Sequence, residues 1–190
     1  MKILILASGK GTNAANIINL AKSGYFKNPE ILAVISDHQN APALEMATKN
    51  SVRAIWLDSG KKGALFSPEG ADLYTKTAQE LNPDLIVLAG FMKILPKSFT
   101  EKFPNKIINL HPSLLPAFMG EKNAIKCAFE YGVKISGVTV HFVNDILDGG
   151  KIIGQKAVEI SPNDTLESFE AKIHAAEYEL LPEVIRSFEK

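Results

Sequence analysis

The chain has 190 residues, 46% apolar and 22% charged, with a formal net charge of zero. That length and composition predict one domain with a sizeable core and exclude a disordered chain. The balanced charge removes the electrostatic reason to expect nucleic acid or an anionic membrane as partner. The single cysteine, Cys127, excludes an internal disulfide and fits a reducing compartment.

At the N-terminus, Met1-Lys2 leads into Ile3 to Ala7. This apolar run is too short for a signal-peptide core or a bilayer span, so the expected location is the cytoplasm. Four further runs resemble it: Ile31 to Ile35, Arg53 to Leu57, Leu85 to Ala89 and Ile107 to Leu110. All are short, rich in Val, Ile and Leu, and lack strict alternation, as strands buried on both faces do. Helical spacing lies between them. Ala14, Ile17, Ile18 and Ala21 recur on one face with Gly24 as a stop, and residues 41–50 and 71–81 follow the same pattern. Strand alternating with helix predicts right-handed crossovers and a parallel sheet.

The pattern changes in the second half. Gly137 to Val143 alternates, Asp148-Gly149-Gly150 supplies turn chemistry, and a second strand is predicted over Lys151 to Ile160. A long helix closes the chain from about Leu166 to Phe188. Asp164 or Thr165 is its candidate N-cap, and Pro182 inside it predicts a kink. The expected fold class is α/β: a Rossmann-like, mostly parallel sheet flanked by helices, with a C-terminal strand pair and closing helix. Nothing in the sequence marks a linker, so residues 1–190 are expected to form a single catalytic domain.

Ser8-Gly9-Lys10-Gly11-Thr12-Asn13 sits between the first strand and the first helix. Glycines let a ligand approach the backbone, and helix-start N–H groups attract anions, so a phosphate is the natural guest. Two other readings stay open: a tight turn capped by Thr12 or Asn13, and a partial dinucleotide fingerprint. Asp37 lies 26 residues beyond Gly11, a poor spacing for a ribose partner.

Asn109 and His111 are two apart at the end of the fifth strand and share one face. The carboxyl end of a parallel strand is where such sheets place their sites. Strand capping and an ordinary buried histidine remain the plain alternative. Asp148 reads locally as a common turn aspartate. The histidines and Cys127 lack ligand-like spacing, so no metal is expected.

Four segments, in order, are similar to the phosphoribosylglycinamide formyltransferase (GAR transformylase) family of purine synthesis. They are Ser8-Gly9-x-Gly11-Thr12-Asn13; Leu88 to Leu95; Ile108-Asn109-Leu110-His111-Pro112-Ser113-Leu114-Leu115-Pro116; and Gly137 to Gly150 with Asp145, Leu147 and Asp148. The resemblance implies transfer of a formyl group from 10-formyltetrahydrofolate to the amine of glycinamide ribonucleotide, with no metal. It implies catalytic roles for Asn109, His111 and Asp148. Gly11, Thr12 and Asn13 would hold the 5′-phosphate, and Glu177 the ribose. Met92, Lys93, Ile94 and Leu95, with Asn109, Asn144, Asp145, Ile146, Leu147 and Asp148, would line the folate site. Resemblance also raises the expectation of a cis bond at Leu115-Pro116.

The chain departs from the family at Lys93, where many relatives carry Arg, and around residues 117–123. It also has no arginine between Gly60 and Gly70. In the implied chemistry Asn109 supplies an amide N–H to the oxyanion and His111 a charged donor, with Asp148 favouring the charged ring. Two rival readings stand beside this one. Another folate formyl-group enzyme would carry a further domain, which the chain's length does not lead one to expect. A non-catalytic nucleotide-binding module would use the glycine loop alone.

Overall fold

The computed structural model describes residues 1–189, so Lys190, the end of the expected domain span, lies outside the described residues. Seven strands form one sheet in the order β3-β2-β1-β4-β5-β6-β7. They are β1 Lys2–Leu6, β2 Glu30–Ser36, β3 Ala54–Trp56, β4 Leu85–Leu88, β5 Ile107–His111, β6 Ile135–Phe142 and β7 Ile152–Glu159. The helices are α1 Thr12–Lys22, α2 Pro42–Lys49, α3 Pro68–Leu81, α4 Lys97–Thr100, α5 Ala124–Tyr131 and α6 Leu166–Ser187. The chain folds as two compact units, Met1–Ile108 with Glu189, and Asn109–Phe188.

In the first unit β1 pairs in parallel with β2 and β4, and β2 in parallel with β3. Ile3 to Leu6 and Leu85 to Val87 are almost wholly shielded from solvent. Unbroken Val/Ile/Leu runs fold this way because both faces of a parallel strand are covered. Tyr74 on α3 is buried and anchors its hydroxyl on the Leu57 carbonyl at 3.1 Å. Its ring meets Phe66 edge-on.

In the second unit β6 and β7 pair antiparallel, and α6 packs on both. Helix α6 begins at Thr165, whose side chain accepts from Ser168 N in a capping box, and Phe169, Ile173, Leu181 and Ile185 form its buried face. Gly154 leaves room for that helix: a Cβ there would stand 3.1 Å from Val184 and 3.2 Å from Leu180. The alternation of β6 does not mean one wet face. Residues on both of its faces are buried, because β6 is an interior strand between β5 and β7. Thr139 and His141 are therefore buried polar groups.

Predicted strand and helix ends hold within one or two residues, except that 71–81 extends three residues back to Pro68. Two helices lie outside the expected elements: α4, whose four residues carry too few turns to display a period, and α5. Helix α1 is capped by Gly11 with no side-chain bond, so neither Thr12 nor Asn13 is its cap. Among the described residues, no helix is long and apolar enough to cross a membrane.

Candidate active site

Three polar side chains expected to act together meet in the second unit. Asn109 and His111 project from β5, which ends where Pro112 removes the next N–H donor. Asp148 comes from the turn between β6 and β7. It adopts φ +51, a left-handed conformation that aspartate tolerates better than most residues. The turn is built for it. A Cβ on Gly150 would fall 1.6 Å from the Phe142 carbonyl oxygen, so only glycine fits there. Asn144 shapes the same turn by accepting from Ile146 N at 2.9 Å.

The Asp148 carboxylate sits at the centre of the group. Its Oδ1 accepts from Asn109 Nδ2 at 3.2 Å, and its Oδ2 accepts from Gly120 N at 3.0 Å. His111 Nδ1 lies 3.4 Å from Oδ2, and the two side chains are each 8% exposed. His111 Nε2 donates to the Phe118 carbonyl at 3.1 Å. Both ring nitrogens of His111 thus face acceptors, an arrangement satisfied by the imidazolium. Burial works against ionisation of Asp148. The neighbouring His141 ring, the charge of His111 and the Gly120 N–H outweigh it and hold the carboxyl below its ordinary value.

His141 is a neighbour of this group that the sequence did not single out. It is 2% exposed on β6, and its Nδ1 donates to its neighbour's carbonyl, Phe142 O, at 2.8 Å. Its Nε2 lies 3.2 Å from Asn109 Nδ2 and 3.6 Å from Asp148 Oδ1. In the neutral ring, with Nδ1 carrying the proton, Nε2 accepts from Asn109; in the doubly protonated ring Nε2 faces Asp148 as a donor, the form that lowers the carboxyl. With the neutral ring the two amide hydrogens of Asn109 are directed at Asp148 and His141, which fixes the orientation of the amide.

The segment after β5 is held by buried Thr139. Its hydroxyl donates to Ser113 O at 2.6 Å and accepts from Leu115 N and from Gln155 Nε2, each at 3.0 Å. The Leu115-Pro116 peptide in this stretch is cis, as the resemblance implied. Gln155 Nε2 also donates to Leu115 O, closing the network.

In the first unit, Gly11 takes φ +72, and a Cβ on it would stand 2.7 Å from that of Ala43. Both facts require glycine. Gly11 brings no capping side chain to the start of α1, where a helix terminus favours an anion. Ser8 joins this loop to the 92–95 segment: its hydroxyl donates to Asp37 Oδ1 at 2.5 Å and accepts from Met92 N at 2.8 Å. Asp37, the carboxylate that a dinucleotide reading would need for a ribose, is thereby engaged. Met92 and Ile94 are 58% and 39% exposed, whereas Lys93 and Leu95 point inward.

Glu177 lies on α6 with its carboxylate only 7% exposed and 2.9 Å from His174 Nδ1. Asp145, Ile146 and Leu147 are exposed on the β6–β7 turn. Among the described residues, no group of three or more His, Cys, Asp or Glu side chains could hold a metal ion.

The sequence matches the formyl transferase family over residues 1–185. It is 42% identical over 188 residues to phosphoribosylglycinamide formyltransferase of Haemophilus influenzae, covering 98% of this chain and 86% of that protein. To the Bacillus subtilis enzyme of the same name it is 36% identical, covering 97% and 93%. The crystal structure of glycinamide ribonucleotide transformylase 1 from Symbiobacterium toebii superposes with a TM-score of 0.91 at 39% identity, covering 99% of this chain and 87% of that one. Sequence, fold and the order of motifs agree, and the chain belongs to the formyl transferase family and, within it, to the phosphoribosylglycinamide formyltransferases.

Proposed function

We propose that the chain transfers the formyl group of 10-formyltetrahydrofolate to the amine of N1-(5-phospho-D-ribosyl)glycinamide, giving the formylated nucleotide and tetrahydrofolate. The observation that carries this reading is the convergence of Asn109, His111 and Asp148 at one buried point. In the reaction the amine nitrogen bonds to the formyl carbon, and the carbon–nitrogen bond to the folate then breaks. One proton leaves the amine and one reaches the departing nitrogen, so charge balances without a metal.

Each residue has a distinct part. His111, with an N–H on both ring nitrogens, donates to the oxygen that becomes negative and serves as general acid. Asn109 donates an amide hydrogen to the same oxygen, giving up one of its two present acceptors. Asp148 pairs with the His111 ring and holds it in place. One such donor is worth about 10²–10³ in rate in a site shielded from water.

The glycine loop fits a phosphate, so Gly11, Thr12 and Asn13 are assigned to the 5′-phosphate and Glu177 to the ribose hydroxyls. Exposed Met92 and Ile94 offer apolar surface suited to a flat heterocycle, and Met92 to Leu95 are assigned to the folate. Residues 144–148 are assigned to the same ligand. The chain acts as one catalytic domain, on small molecules rather than nucleic acid or membrane, in the cytoplasm. The direct test is incubation with both substrates and detection of the formylated nucleotide by mass. Formylation of the nucleotide amine is expected; hydrolysis of the folate to formate alone contradicts the transfer reading.

A further inference from the structure

Position 93 carries a cation between two exposed apolar neighbours, yet the Lys93 side chain turns inward and the residue is 8% exposed. Its Nζ donates to Lys61 O at 2.6 Å and to Leu65 O at 3.4 Å. Next to it, Ile94 N donates to Ala64 O at 2.8 Å. All three bonds reach one loop, residues 57–67 between β3 and α3, which has no regular secondary structure. Within the loop, Ser59 Oγ donates to Lys61 O at 3.3 Å and Gly60 N to Asp58 Oδ1 at 2.8 Å. Lys61 and Lys62 are themselves exposed.

A buried ammonium is costly unless its N–H groups are bonded, and a charged donor makes stronger bonds than a neutral one. The compact, rotatable head of a lysine can aim at two carbonyls of one loop; the planar fork of an arginine is shaped for carboxylates and phosphates. A cation committed in this way is spent on the protein rather than on a ligand.

We propose that Lys93 is a positioning residue whose ammonium anchors the Lys61–Leu65 loop to the Met92–Leu95 segment, and that it sets folate affinity through that loop instead of contacting the folate with its charge. The anchoring stands on the hydrogen bonds alone; the consequence for folate rests on the formyl-transfer reading above.

Trypsin supplies a readout independent of activity, since it cuts after lysine and both Lys61 and Lys62 are exposed. Lys93→Met keeps most of the apolar stem and removes the donors. Cleavage after Lys61 and Lys62, followed by peptide mass, is expected to accelerate about fivefold or more as the loop opens locally. Cleavage after Lys172, inside the long helix α6, reports wider unfolding and should stay slow. In steady state the KM for 10-formyltetrahydrofolate should rise about three- to tenfold, with the nucleotide KM changed far less. Lys93→Arg should fall between the two proteins in both assays. If Lys93→Met does not fold, Lys93→Gln, which has a shorter and neutral donor, is read by the same criteria.

Loop cleavage at the wild-type rate overturns the anchor. Faster cleavage with an unchanged folate KM overturns its role in folate affinity. If the wild-type protein shows no folate-dependent formyl transfer, the functional reading has failed, and the trypsin comparison still decides the anchor.

Discussion

His111 Nδ1 stands 3.4 Å from Asp148 Oδ2, while Nε2 of the same ring donates to Phe118 O at 3.1 Å. The ring therefore lies between a carboxylate and a carbonyl, two acceptors from segments far apart in sequence. Asp148 holds the His111 ring in its orientation, a contact that a turn aspartate facing solvent would not make.

The lowered Asp148 carboxyl has a consequence for stability. A group whose folded value is depressed stabilises the fold above its unfolded value, about 3.9, and loses that contribution as pH falls through the folded value. Chemical denaturation between about pH 6 and 3 should then show the wild-type protein losing stability more steeply toward acid than Asp148→Asn. Parallel profiles would mean that the carboxylate gains nothing from its neighbours.

Gly11→Val should raise the KM for the nucleotide at least about tenfold and leave the folate KM within about twofold, because the new side chain strikes Ala43 and strains a left-handed position at the helix start. Isothermal titration with each substrate separates the two effects. Unaltered nucleotide affinity would remove the phosphate from this loop.

His141→Ala should lower kcat about tenfold by freeing the Asn109 amide to turn, an effect of misplaced geometry rather than lost chemistry. Coupling is the discriminating readout. In the double variant with Asn109→Ala, the costs should fall short of additivity by about 0.5 kcal/mol or more, as for residues in one hydrogen-bond network. Fully additive costs would separate the two residues.

Much of this architecture was legible in the chain. The strands of the first unit announce themselves because burial on both faces leaves continuous Ile, Leu and Val, and Asn109 and His111 stand out as polar residues at the end of such a run. His141 was not legible. Its alternating surroundings suggest a strand with one wet face, and only the interior place of β6 buries it, 32 positions from the Asn109 it touches. Asp148 reads as a turn residue locally because its partners, His111 and Gly120, are assembled by tertiary structure. The inward turn of Lys93 was equally hidden, since nothing in Met92-Lys93-Ile94 says where an ammonium will find carbonyls.

Single-turnover formylation of glycinamide ribonucleotide, with enzyme in excess over 10-formyltetrahydrofolate, tests the central claim most directly. His111→Ala should slow the chemical step by about 10²–10⁴, the range for loss of a general acid. Asp148→Asn should slow it as well, because the carboxylate that orients the His111 ring is gone. A His111→Ala rate within a few-fold of wild type, or an Asp148→Asn rate equal to wild type, would contradict the assignment of formyl transfer to this cluster.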